Sequence, residues 1–324
     1  MVLIISEGRD ISTHRVIDWL LYYDVKYAVI NKEEKIDSIV IGIGEGFSFN
    51  IVVKNKVLFF KDLKAVWYRR GTFVKELPDL RLVKKMPDVV EKHLTSEWSS
   101  VVEMLHFRLE QLPSLGSYFN NKHCNKLTSI LNAEKCGLSI PNTWIVDNKR
   151  DLQNILSKHP KLITKSILND LKARDGFSIE FGTFGPTLIT IDHIKDIDDN
   201  FFPSLVQEYV EKSYELRIFT VEQKLWCMAI FSQLDEQTSL DFRNYNWSNP
   251  NRMVSYILPE KYETSIRNFL KISGITTGSI DMVVTPNGDY VFLEINPVGQ
   301  FDFVSQNCNY FIEKEIAEHL LALC

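Results

Sequence analysis

One stretch of this 324-residue chain leaves little freedom in how it can fold: Gly278-Ser279-Ile280-Asp281-Met282-Val283-Val284, a Pro286-Asn287-Gly288-Asp289 turn, and Tyr290-Val291-Phe292-Leu293-Glu294-Ile295-Asn296-Pro297. Two apolar runs around Asn-Gly read as a β-hairpin. With Asn287-Gly288 as a two-residue loop, Pro286 faces Asp289. Counting outward then sets Val283 opposite Phe292, Asp281 opposite Glu294, and Ser279 opposite Asn296. Period two puts Glu294 and Asn296 on one face, so three oxygen-bearing side chains converge among apolar neighbours. Opposed carboxylates repel across Cβ atoms only ~5 Å apart, which costs stability unless something compensates. A hard divalent cation would, since Mg²⁺ takes carboxylate and amide oxygens together with water and phosphate. The alternative is an edge hairpin with solvated acids, against which Phe292, Leu293 and Ile295 argue.

A matching cationic side is present. Lys165 lies inside the apolar run Leu162–Ile167, where an ammonium must snorkel out or meet an anion. Phosphate is the anion to expect if the carboxylates hold magnesium. Lys126, near the start of a helix, is weaker alone. The segment Val206-Gln207-Glu208-Tyr209-Val210-Glu211, followed by Glu215-Leu216-Arg217, reads as a strand leaving into a connector. Its backbone could read an adenine edge, and its acid could bond ribose hydroxyls. Arg217 and Arg243 suit bidentate contacts to phosphate oxygens, although each alone is unspecific.

Around these residues the order of elements suggests an α/β start and an α+β body. Val2–Ser6, a helix over 11–23 and Tyr27–Asn31 form a βαβ opening. Gly42-Ile43-Gly44-Glu45-Gly46 is read as a turn rather than a dinucleotide loop, because strand-like alternation follows it and not a helix. A long helix starts at Met86 with Pro87 in its first turn, and Pro113-Ser114-Leu115-Gly116 breaks the chain after it. A helix over 122–136 closes at Gly137, strands are expected at 142–146, 162–167, 187–192 and 204–210, and the charged connector 169–186 should be exposed. A helix over 151–158, a strand pair at 215–221 and 225–233, a helix over 259–273 capped by Gly274, and a last helix over 311–323 complete the reading.

Composition narrows the class. The 37 Lys and Arg against 42 Asp and Glu give a net charge of −5, the wrong sign for a general nucleic-acid binder. Five scattered cysteines without a zinc spacing read as reduced thiols. No apolar stretch approaches the ~20 residues of a membrane helix. MVLIISEGRD lacks a signal peptide's long apolar core, so a cytoplasmic protein without membrane or nucleic-acid partners is expected.

Taken together, these residues resemble the ATP-grasp superfamily of carboxylate ligases. "SIDMVVTPNGDYVFLEINPVGQF" is similar to that superfamily's magnesium segment, and "LVQEYVEKSYELRIF" to its adenine hinge and ribose segment. "AVWYRRG" (65–71), "NNKHCNKLTSILNAEKCGLSIPNTW" (120–144), "LDFR" (240–243) and "EINPVGQF" extend the resemblance over most of the chain. They point to the graspetide (microviridin-type) peptide maturases, of the grasp-with-spasm kind. The resemblance implies an ATP-grasp fold with an N-terminal α/β pre-ATP-grasp domain over 1–117, a central ATP-grasp subdomain over 118–210, and a C-terminal subdomain with the metal site over 211–324.

It further implies ATP and Mg²⁺ as cofactors. Asp281, Glu294 and Asn296 would hold the metal, and Lys126 and Lys165 the phosphates. Gln207, Glu208, Tyr209 and Val210 would lie on the adenine hinge. Glu215 would bind ribose, as the acid in the same place does in D-alanine–D-alanine ligases, and Arg217 and Arg243 would act on phosphate or an acyl phosphate. The glycine-rich loop over the phosphates departs from the superfamily pattern; Asp175-Gly176-Phe177 and Gly182-Thr183-Phe184-Gly185 are its candidates. The N-terminal domain offers no residue with an assignable role; Tyr68-Arg69-Arg70 is read as either structural or peptide-contacting.

The implied partner is a ribosomally made precursor peptide with a leader and a core of Thr, Ser or Lys plus Asp or Glu. An acid of the core would be activated as an acyl phosphate and closed onto a hydroxyl or amine of the same peptide, with ester favoured. The leader would dock near 169–200, and a homodimer is expected from the family. Two other readings stay open: an ATP-grasp ligase joining separate molecules, and a nucleotide-binding regulator with an inactive ligase fold.

Overall fold

β1 (Val2–Ser6) is buried on both faces, as befits a strand inside a parallel sheet. The chain then enters α1 (Ile11–Tyr22), whose first turn is capped by the Asp10 carboxylate accepting from Thr13 N–H at 3.2 Å. It returns as β2 (Tyr27–Asn31), parallel to β1, and this is the expected βαβ opening. The computed structural model describes residues 1–44, 46–78, 87–168, 172–174, 180–182 and 185–324.

β3 (Ser38–Gly42), β4 (Ser48–Val53) and β5 (Lys56–Phe59) form an antiparallel sheet. The 42–46 glycines therefore join two strands, as the alternation after them requires, with Gly44 and Gly46 at φ +124° and +111°. β6 (Ala65–Tyr68), α2 (Pro87–Leu109) and β7 (Ser114–Leu115) follow, and among the described residues the first sheet has the order β2-β1-β6-β7. The expected helix start at Met86 lies outside the described residues.

The helix expected over 122–136 is two helices. α3 (Tyr118–His123) ends where Cys124 turns extended, and the Asn125 side chain starts α4 (Lys126–Lys135) by accepting from Leu127 N–H at 2.8 Å. Next come β8 (Thr143–Asn148), α5 (Lys149–Leu156) and β9 (Leu162–Thr164). β9 is half its expected length, which lets Lys165 leave the strand. β10 (Lys172–Arg174) pairs with β11 (Glu180–Gly182), inside what the sequence suggests is only a connector. β12 (Thr187–Ile189) gives way to a 3-10 turn at Ile191–Asp196, shorter than the strand expected there, and β13 (Asn200–Glu208) completes a sheet of order β12-β9-β13-β8.

β14 (Tyr214–Val221), β15 (Lys224–Phe231), α6 (Glu236–Ser239), β16 (Arg252–Tyr256), α7 (Glu260–Ser273), β17 (Thr277–Val284) and β18 (Tyr290–Asn296) build an antiparallel sheet of order β16-β15-β14-β17-β18. α7 buries Ile266, Phe269 and Leu270 and stops at Gly274, φ +63°. α8 (Asp302–Cys308), which the sequence reading lacks, precedes α9 (Ile312–Ala322). Among the described residues no helix is long and apolar enough to cross a membrane.

The β17–β18 hairpin corrects the sequence in an informative way. Its loop has three residues, 286–288, with Thr285 N–H donating to Asp289 O at 2.9 Å and Gly288 at φ +85°. Val283 therefore faces Val291, and Phe292 faces Met282. A bulge at Leu293 then adds one residue to β18 and restores Asp281 opposite Glu294 and Ser279 opposite Asn296. Two offsets cancel, so the acids face each other as expected while the pairs near the turn do not.

Candidate active site

β14, β17 and β18 lie side by side, and register sets Arg217, Asp281 and Glu294 in one row across them. The Arg217 guanidinium donates through Nη1 to both oxygens of Asp281, at 2.5 and 2.7 Å. Glu294 has no such close partner. Its Oε2 lies 3.7 Å from the Nζ of Lys126 and 3.7 Å from the Nζ of Lys165, which approach from α4 and from the end of β9. Burial pushes the Asp281 carboxyl up even against Arg217. At Glu294 burial acts the same way, but the ammonium groups of Lys165 and Lys126 outweigh it and hold the carboxyl down. Burial lowers Lys165, whose side chain is 12% exposed, against the pull of Glu294.

These side chains line a cleft of about 680 Å³, open at its mouth. Four cations (Lys126, Lys165, Lys212 and Arg243) and four acids (Glu215, Asp241, Asp281 and Glu294) line it among the described residues, with Arg217 bonded to Asp281. With Lys212 paired to Glu215 and Arg243 to Asp241, the two ammonium groups of Lys126 and Lys165 stand over the facing acids, an arrangement that suits a polyanion carrying a divalent ion.

Gln207, at the end of β13, is fully buried on the cleft wall. Its amide N–H donates to Thr143 Oγ1 at 2.9 Å, while its Oε1 has no partner. Glu208 turns its carboxylate to Asn142 Nδ2 at 2.6 Å and towards His159. Tyr209 lies under the Lys161 ammonium, and its N–H donates to Lys161 O at 3.1 Å. Val210 is half-buried where the hinge leaves the sheet. Only Gln207 of these four lines the cleft with its side chain.

Glu215 does reach the cleft. Its Oε1 accepts from Ser232 Oγ at 2.7 Å and pairs with Lys212 Nζ at 2.9 Å, and burial raises its carboxyl. Arg243 is clamped by Asp241, accepting nothing and donating through Nε and Nη2 at 2.7–3.0 Å. Asp241 and Lys212 are cleft residues that sequence reasoning missed. The available signal was adjacency: Asp241 stands two residues before Arg243, and Lys212 follows the hinge. Gly185, φ +66°, abuts this pair, and a Cβ there would lie 2.9 Å from Asp241 Oδ2. Of the expected phosphate-loop residues, 175–177, 183 and 184 lie outside the described residues.

Asn296 is exposed at the end of β18 and is not part of the cleft lining. Its Oδ1 accepts from Val298 N–H at 3.0 Å, which leaves one lone pair. Among the described residues no three His, Cys, Asp or Glu side chains converge as a metal cluster. A metal here would rely on the two facing acids, the amide oxygen and oxygens not supplied by the protein. That donor set fits magnesium, which keeps water and phosphate ligands.

No family model and no curated protein matches this sequence. Solved structures do match, over nearly the whole chain. A RiPP-associated ATP-grasp ligase from Chryseobacterium gregarium, solved with ADP and a leader and core peptide, has a TM-score of 0.84 at 22% identity, covering 100% of this chain and 97% of its own. The macrocyclase MdnC of Microcystis aeruginosa MRC, bound with the precursor peptide MdnA, has a TM-score of 0.80 at 26% identity, covering 100% of both chains. The ATP-grasp ligase PsnB, solved with minimal precursor, Mg and ADP, has a TM-score of 0.72 at 13% identity, covering 99% of this chain and 96% of its own. The cleft, the facing acids and these likenesses agree: the chain has the ATP-grasp fold and is similar over its whole length to ATP-grasp ligases solved with precursor peptides.

Proposed function

We propose that this protein is an ADP-forming ligase that closes side-chain-to-side-chain links in a ribosomally made precursor peptide. The observation that carries the reading is the row Arg217–Asp281–Glu294 under Lys126 and Lys165, in a fold whose relatives are solved with ADP and peptide. Asp281, Glu294 and Asn296 would hold Mg²⁺, which when bound neutralises phosphate charge. Lys126 and Lys165 donate to phosphate oxygens, and Arg217 and Arg243 stabilise the charge on the transferring group, so catalysis is positioning plus electrostatics.

Gln207, with Glu208, Tyr209 and Val210 at the hinge, faces adenine. Glu215, whose Oε2 has no protein donor among the described residues, accepts a ribose hydroxyl. A peptide Asp or Glu oxygen attacks the γ-phosphorus, and the bond to the β-phosphate oxygen breaks as ADP leaves. A Thr or Ser hydroxyl, or a Lys amine, then attacks the acyl carbon and releases phosphate, its proton passing to solvent. The three-part division at 117/118 and 210/211, the grasp-with-spasm branch, an ester product and a cytoplasmic location belong to the same proposal.

The test uses the purified protein, MgATP and an acidic Thr-rich precursor encoded beside its gene. The expected result is ADP release that needs the peptide, with loss of one water mass per ring. A mass gain in an acceptor would instead mean joining of separate molecules. Nucleotide binding without turnover on any neighbouring peptide would mean an inactive fold.

A further inference from the structure

The Tyr68-Arg69-Arg70 segment lies in the N-terminal part of the chain, yet it reaches the turn that follows Asn296. β6 ends at Tyr68, and the N–H groups of Arg69 and Arg70 both donate to Ile5 O, at 3.0 and 3.2 Å. The chain thus leaves the ladder there, and two consecutive side chains can turn to one side. Arg69 Nη1 and Arg70 Nη2 converge on a single backbone oxygen, Val298 O, at 2.7 and 2.9 Å. The same Val298 donates its N–H to Asn296 Oδ1 at 3.0 Å, and Gly299 N–H donates to Asn296 O at 3.0 Å. Both ends of the Val298 residue are therefore fixed, one by two guanidinium groups and the other by the asparagine amide.

The anchor is built to hold. Arg69 is 4% exposed and pairs with Asp10, 1% exposed, through Nε at 3.0 Å. Its Nη2 also donates to Gln300 Oε1 at 2.9 Å. Arg70 is held from the other side by Glu7 at 2.9 Å. A carbonyl oxygen needs one donor, and here two guanidinium groups each place one on it, although Arg70 Nε stays buried without a partner. Two of them on one carbonyl beside a ligand candidate is a supporting shell of the kind that sets ligand orientation.

We propose that Arg69 and Arg70 are positioning residues of the metal site: by clamping Val298 they fix which lone pair of Asn296 Oδ1 is left for a divalent ion. This rests on the reading of Asp281, Glu294 and Asn296 as the metal-holding set. The test measures Mn²⁺ bound to the full chain with ADP present, by the loss of the free-ion paramagnetic signal, alongside ADP affinity without metal.

Arg70→Gln is expected to weaken Mn²⁺ binding by about 10- to 100-fold, the range for outer-shell changes. Metal-free ADP affinity should stay within about twofold, and Arg69→Lys, which keeps the charge but not the fork, should act in the same direction. Adding Arg70→Gln to Asn296→Ala should cost nothing further, because the guanidinium acts through the amide. Val53→Ala, a core truncation in the same N-terminal part, is the control for general loosening.

Folded Arg70→Gln and Arg69→Lys proteins that bind Mn²⁺ like the native chain, while Asn296→Ala does not, would overturn the inference and leave the metal reading standing. An additive double variant, or an equal loss in Val53→Ala, would also overturn it. Native-like binding by both Asn296→Ala and Glu294→Gln would overturn the metal reading itself.

Discussion

Two buried groups show how the same environment produces opposite demands. Glu294 sits between two ammonium groups at 3.7 Å, too far for hydrogen bonds and close enough to be held charged. His106 has no charged partner at all. It is 1% exposed, stacked on Tyr118 at 3.9 Å with rings 3° apart, and its Nε2 is unpartnered. Burial alone lowers its pKa to about 3. A base depressed in the fold binds a proton more readily when unfolded, so its stabilising share is complete above the unfolded value. That share is lost as pH falls from about 6.5 towards 3, at up to about 1.4 kcal/mol per pH unit. Carboxylates titrate in part of this window too, so the difference between variants is what counts. His106→Phe keeps the ring and removes the titration. Urea unfolding at pH 7 and pH 5.5 should show the native chain losing about 1 kcal/mol more than the variant. Equal losses would mean that His106 meets solvent in the folded state.

At the scale of elements, the hairpin that carries the acids invites a direct trial. Deleting Pro286 leaves Asn287-Gly288 as a two-residue loop with Thr285 still facing Asp289, a geometry Asn-Gly supports well. Every inward pair keeps its partner, so peptide-dependent ADP formation should stay within a few-fold of the native chain. Its collapse in a folded protein would mean that the loop, and not the bulge, sets the register of Glu294. This hairpin also marks how far the sequence could be read. Counting outward from the Asn287-Gly288 turn made the facing of Asp281 and Glu294 legible, and period-two alternation agreed by placing Ile280 and Ile295 on the buried face. A left-handed Gly288 and an extra Leu293 leave no trace in alternation, and their cancellation is invisible without coordinates. Lys165 was legible as an ion in an apolar run, but not the early end of β9 that frees it. The break at Cys124-Asn125 was masked by helical spacing on both sides, although an Asn directly before a helical run is a start signal. The Asp241–Arg243 and Lys212–Glu215 pairs depend on loops meeting across the cleft, which no local pattern encodes.

The molecule as a whole is divided by its cores in a way that bears on the cleft. One cluster joins the start of the chain to its end: Ile4, Val16, Leu20 and Trp67 pack with Phe219 and Met228 of the large antiparallel sheet and with Ile316 and Leu320 of α9. A separate cluster of Val146, Leu152, Leu156, Leu162 and Val206 holds the sheet that carries Lys165 and Gln207. Asp281 and Glu294 thus stand on the first body and Lys165 on the second, and the chain crosses between them twice, after Ser139, which pairs with Val291, and through the hinge at 209–211. A shared core makes the N-terminal and C-terminal parts one cooperative unit, while the central part can open on its own. Leu320→Ala, a fully buried truncation, should cost about 2–5 kcal/mol. It should speed amide exchange in peptides from 2–68 and 214–231 together, although neither contains the substitution. Leu156→Ala should speed exchange within 143–208 and leave those two regions at native rates. If Lys165 and Glu294 hold the nucleotide as proposed, added MgADP should slow the central part most, because bound phosphates would tie Lys165 to the body that carries Glu294. Were Leu320→Ala to loosen α9 alone, the first and last segments would not share a core in solution. The rigid mounting of the acids against the N-terminal part would then be lost, and with it the reason that Arg69 and Arg70 can hold a turn more than two hundred residues away.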